Sequence, residues 1–319
     1  MARNLQKFDL TDSTLANYVP WAQSGATISN NMSIDEMLRA ADLDWEVIRI
    51  RPTYEYNGEI YKDIRDTIVC SKDGRPFDKI PQDWHLTQNR EAFEFFMRWI
   101  EAGHMRLVAA GNLDHRRLVW VLAEIINNVE GIKGDRYNNF LLFSLPHKYG
   151  AAIDIRQINY RIFCNNQMAF ALSKSGGGLR IRWNHRSKFE AAQVQETISI
   201  ANHQFGQYQN EVVKFLASRR YKADMLADYF RELFPVAGAD ENSKLLSPYA
   251  SRLIDLTETS PGHQVAPGTW YNAINALSFS TTHVMGRSPA TRLKSAWYGQ
   301  YRKLTLSGVN LALEYANKS

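Results

Sequence analysis

The chain is poor in cysteine: two in 319 residues, Cys70 and Cys164. Two thiols exclude a disulfide framework and a multi-cysteine metal site, and they fit a reducing compartment. No apolar run approaches the roughly 20 residues that cross a bilayer. The opening MARNLQKFDLTD has no apolar signal core, so the expected location is the cytoplasm of a bacterial host, away from the membrane. The eight histidines, His85, His104, His115, His147, His185, His203, His263 and His283, form no spacing typical of a metal site. Gly176-Gly177-Gly178 lacks the Gly-Lys-Ser/Thr ending of a phosphate loop, so no nucleotide-triphosphate site is read, and no cofactor is expected.

The most informative absence is of negative charge. Residues 155–188 hold seven Lys or Arg, and residues 259–313 hold five, with no Asp or Glu in either stretch. The chain as a whole is only mildly basic, at +5. A protein that follows a phosphate backbone gains from such stretches, because an acid in its footprint repels the ligand and recaptures counterions.

What is present reads as α+β: a β-meander and helix opening a sheet core, followed by a mostly helical part. The expected organisation is an arm over 1–44, a sheet core over 45–186 and a helical region over 187–319. The arm carries a short helix at 33–41. Apolar–polar alternation at 45–51, the Asn57-Gly58 turn inside 54–61, and 64–71 predict a three-stranded meander. A helix follows over 89–102, with Ala92, Phe93, Phe96, Trp99 and Ile100 on one face. Strands are expected at 105–113, 118–126, 139–145, 155–163 and 179–183, with a short helix at 165–173. Val194, Ile198, Ala201, Phe205, Tyr208, Val212 and Phe215 recur at alternating spacings of four and three, an apolar seam suited to a partner helix. Further helices are expected at 222–233, 244–258, 269–284 and 290–316.

Strand periodicity places Arg180, Arg182 and Asn184 on one face and Ile181 and Trp183 on the other. The first face reads as a basic stripe. The run from Arg292 to Lys303 interleaves Arg292, Lys294, Arg302 and Lys303 with Trp297, Tyr298 and Tyr301. Cations that follow phosphates beside rings that stack on bases suit single strands bound without sequence choice. Trp297 and Tyr301 equally suit a helix packed into a core. The expected nucleic-acid contacts are Arg156, Arg161, Arg180, Arg182, His185, Arg186, Lys188, Arg292, Lys294, Trp297, Arg302 and Lys303. Cys164 reads either as a nucleophile with His185 as its base or as a small packing residue.

The strand Tyr160-Arg161-Ile162-Phe163-Cys164 with Asn165-Asn166, then Arg180-Ile181-Arg182-Trp183-Asn184-His185, form one part of a resemblance. Upstream stand Gln88-Asn89-Arg90-Glu91-Ala92-Phe93, Ala110-Gly111-Asn112-Leu113, Arg117-Leu118-Val119-Trp120 and Gly134-Asp135. In this order they resemble the uncharacterised "phage/plasmid-like protein" domain family over roughly residues 45–316. Asn166-Gln167 and His147-Lys148-Tyr149-Gly150 depart from its pattern. The resemblance implies a mobile genetic element and no particular chemistry. A more distant likeness, in the order of meander and helix, is to phage single-strand annealing proteins of the Red-beta/RecT kind. It implies a basic groove and rings or filaments that work without nucleotide hydrolysis. The expectation is a phage-type protein that binds single-stranded DNA, promotes annealing in recombination and self-associates. The rivals are an enzyme acting on nucleic acid or nucleotides through His185 and Cys164, and a host-factor interaction protein.

Overall fold

A computed structural model describes residues 20–132, 135–161, 167–168, 180–183, 209–240 and 243–319. Its centre is an antiparallel sheet of seven strands: β1 (Gly25–Thr27), β7 (Met105–Leu113), β8 (Leu118–Ile132), β9 (Asp135–Pro146), β10 (Ile153–Arg161), β11 (Gln167–Met168) and β12 (Arg180–Trp183). They run in the order β1-β7-β8-β9-β10-β11, and β12 also pairs with β10. The expected short helix at 165–173 is replaced at 167–168 by β11, which continues the ladder against Asn159 and Tyr160.

The expected meander takes a different form. β2 (Val47–Ile50), β5 (Asp66–Cys70) and β6 (Pro76–Ile80) make a three-stranded sheet. Between β2 and β5, β3 (Thr53–Tyr56) and β4 (Glu59–Lys62) fold out as a separate hairpin, exposed at every strand position. Two causes are visible. Pro52 interrupts the chain after β2. Arg49 and Arg51 both donate to the Asp66 carboxylate, closing β2 directly onto β5.

The short helix α1 (Ile34–Ala40) opens with a reciprocal capping box between Ser33 and Glu36. The amphipathic helix α2 (Asn89–Glu101) lays Ala92, Phe93, Phe96 and Trp99 against the sheet, with Ile100 partly buried beside them. With α1 and the small sheet they build the first core. The arm is therefore stitched into the sheet from β1 onward: Gly25 pairs with Gly111, and Met37 and Leu38 join the first core.

On the C-terminal side, a π-helical turn (Gln209–Val213) leads into α3 (Lys214–Ser218). Then come α4 (Ala223–Leu233), α5 (Pro248–Thr259) and α6 (Trp270–Phe279). Of the apolar seam, Val212 and Phe215 pack within the helical core; Val194 to Tyr208 lie outside the described residues. The helix expected over 290–316 is two, α7 (Pro289–Tyr298) and α8 (Gln300–Lys318), parted at Gly299. The third core lies on the other face of the large sheet, where α7 brings Leu293 and Trp297 onto Trp120, Leu142, Ile158 and Tyr160. Among the described residues no helix is long and apolar enough to cross a membrane.

Candidate nucleic-acid interface

Strand alternation sorts β10 into two faces. Ile153 and Ile155 enter the first core, while Ile158 and Tyr160 enter the third. Asp154 and Arg156 therefore face the side covered by α7. The register of β12 places Arg182 opposite Asp154 and Arg180 opposite Arg156. Ile181 and Trp183 pack against the first core. Arg180 and Arg182 thus share the face of Asp154, as their spacing predicts, and both are exposed.

Asp154 is the hub of this face. Its Oδ1 accepts from Arg156 Nε at 2.5 Å and its Oδ2 from Arg180 Nε at 2.6 Å. Arg156 also donates to the Trp297 carbonyl and lies 4.8 Å over the Tyr298 ring. Arg302, in the first turn of α8, joins them. Burial, and then the charges of Arg156 and Arg180, lower its pKa from the ordinary arginine value. Arg182 makes no ion pair with a described residue. Among the described residues, Arg156 and Arg180 share one carboxylate and Arg182 stands exposed on the same face, which leaves a local surplus of positive charge. A bound anion would relieve that surplus.

Several expected contacts are placed elsewhere. Arg161 is fully buried, and its Nε donates to both oxygens of buried Asp135 at 2.9 and 3.0 Å. Tyr137 and Tyr271 hydroxyls also turn to Asp135, and burial holds the Tyr137 hydroxyl pKa well above its usual range. Arg292 is 8% exposed and donates to the Met285 carbonyl at 2.7 Å. Arg156 is 5% exposed. Trp297 is buried against Trp120 and donates to the Tyr160 hydroxyl at 2.9 Å, so no base stacks on it. These four leave the expected interface because each satisfies a partner in the interior. Lys294 reaches Asp114 from α7, and Lys303 is exposed. Cys164, His185, Arg186 and Lys188 lie outside the described residues.

The residue that sequence reasoning missed is Asp154. It stands one position before the acid-free stretch. The signal was its i,i+2 relation to Arg156, which on a strand means one shared face. Among the described residues no three His, Cys, Asp or Glu side chains come together to hold a metal ion.

No curated protein and no solved structure matches the chain. A family does match over residues 77–297, from β6 through the large sheet to the last turn of α7. Both the Asp154 hub and the buried Asp135–Arg161 pair fall within that span. The chain belongs to this family, DUF932, described as a domain of unknown function.

Proposed function

We propose that this is a phage-type protein that binds single-stranded DNA and promotes its annealing in recombination, without ATP. One observation carries the reading: among the described residues, Asp154 is a single carboxylate shared by Arg156 and Arg180, and Arg182 stands exposed on the same face with no ion pair, a local surplus of positive charge. Phosphates are the natural ligand of such a surplus, since guanidinium forks match their oxygens in pairs. With Trp297 buried, the contacts available on this face are ionic, not stacking. A strand held by its backbone keeps its base edges free to meet a complement, which is what annealing requires. Association into rings or filaments would align many such contacts.

The test is a gel-shift series with single- and double-stranded oligonucleotides at two salt concentrations. Single strands bind with little sequence preference, and binding weakens steeply with salt. Arg180→Glu with Arg182→Glu loses most of it while the fold is retained. Undetectable binding at low salt, or binding indifferent to salt, sinks the proposal. Light scattering with and without oligonucleotide tests the association; a strict monomer in both defeats it.

An interaction protein is the second reading, and a separate observation favours it. Among the described residues, seven of the eleven exposed large apolar side chains fall between Ile48 and Ile64. Tyr54, Tyr56 and Tyr61 share one face of the hairpin, with Tyr54 stacked on Tyr61. Loss of function in Tyr54→Ser with Tyr56→Ser, at unchanged DNA binding, would favour that reading.

A further inference from the structure

A cleft of about 820 Å³ opens where the β7–β8 turn, the end of β9 and the start of α7 meet. Asp114, His115, Arg117, Lys148, Thr291 and Lys294 are among its lining residues. The turn that walls it is unusual. Asp114, His115 and Arg116 follow one another with φ of 54°, 56° and 70°. Three successive non-glycine residues in the left-handed region cost free energy and persist only where their surroundings hold them. Arg116 supplies that hold by reaching away to Asp73 at 2.8 Å and Asp42 at 3.0 Å. The Arg117 carbonyl accepts from the His147 backbone N–H at 2.8 Å, fixing the segment that carries Lys148. The lining acid, Asp114, is engaged by Lys294. Arg117 is exposed, and neither it nor Lys148 forms an ion pair with a described residue.

The cleft is joined to the arginine edge by α7. Lys294 stands at the cleft, and three residues later the Trp297 carbonyl receives Arg156 of the Asp154 hub. Three residues of helix advance about 4.5 Å, so cleft and edge are neighbours on one side of the sheet.

We propose that this cleft is a second phosphate-binding site, filled by further phosphates of the strand that lies on the arginine edge. The inference rests on the DNA-binding reading and adds a location and a path to it. Among the described residues, Arg117 and Lys148 are its two cations without an ion pair, and the strained turn holds Arg117 in place.

The experiment is fluorescence anisotropy with labelled oligo-dT over a salt series, comparing wild type, the Arg180→Glu/Arg182→Glu variant, and Arg117→Glu/Lys148→Glu. Removing two phosphate contacts lowers the slope of log affinity against log salt by about 1.4 for a single strand. At low salt the cleft variant binds at least tenfold more weakly. An Arg117→Gln/Lys148→Gln variant, checked by near-ultraviolet circular dichroism, shows the same drop in slope without added repulsion, and it decides the matter if the glutamates disturb the turn. If wild type binds, the edge variant fails and the folded cleft variants match wild type in affinity and slope, the cleft proposal is overturned and the DNA-binding reading stands. If wild type does not bind at any salt, both fall.

Discussion

Arg161 keeps its charge in a fully buried position because Asp135 takes its Nε with both oxygens and Tyr271 lies beneath it at 5.5 Å. Removing one partner of such a pair strands the other charge. Asp135→Asn should therefore destabilise the protein by about 3–5 kcal/mol, read from urea denaturation midpoints. An Asn variant as stable as wild type would mean that Arg161 finds equal support elsewhere. Asp66 gives a residue-scale prediction in pH. Hydrogen bonds from Arg49 and Arg51 hold its carboxyl below the ordinary aspartate value, against the opposing effect of desolvation. A folded-state pKa that is depressed contributes stability in full above the unfolded value of about 3.9. That contribution fades as pH falls through the lower folded value. Wild type should lose stability between pH 5 and pH 2 more steeply than Asp66→Asn. Parallel pH profiles for the two would remove Asp66 from the account.

Strand β1 is held to β7 by a close approach that only glycine permits. A Cβ on Gly111 would stand 2.5 Å from the Ser24 carbonyl oxygen and 2.6 Å from the Gly25 Cα, both backbone atoms. Gly111→Ala should push β1 off the edge and cost about 1–3 kcal/mol. Faster hydrogen exchange at Ala110 and Trp120, with a shift in tryptophan fluorescence, would report it; unchanged exchange and fluorescence would show that β1 stays paired and the close approach gives way without cost. The β3–β4 hairpin presents the opposite case. All its strand residues are exposed, and none belongs to a core cluster. Replacing residues 53–62 by a short glycine-rich link should leave stability within about 0.5 kcal/mol. A large drop in Tm would show that the hairpin supports the small sheet.

Across the whole molecule, the sheet and the helical part are not independent. Tyr137 of β9 is a member of the helical core, and Tyr271 of α6 reaches the Asp135 pair in the sheet. Helix α7 covers the third core through Leu293 and Trp297. A chain ending at residue 287 loses that cover and the packing of α8 on α4 and α6. It should lack the near-ultraviolet signal of the full protein and aggregate. A soluble, cooperatively folding truncation would show that the sheet stands without the helices.

Local pattern alone determined the α+β class, the strand at 105–113, a strand at 179–183 that the structure shows over 180–183, the α2 face and the opposition of Arg180 and Arg182 to Ile181 and Trp183. Each depends on the periodicity of neighbouring residues, which the chain carries within a few positions. Tertiary structure decided which cations remain for a ligand. Arg161 is neutralised by Asp135, 26 residues away, and Lys294 by Asp114, 180 residues away, while Arg180 shares Asp154 with Arg156 across a strand pair. Ion pairing depends on proximity in space, so an acid-free stretch of sequence need not be an acid-free surface. The split of the meander has a similar cause. The Asn57-Gly58 turn is local, whereas the Arg49–Asp66 and Arg51–Asp66 bonds that close β2 onto β5 form only when distant parts of the chain meet.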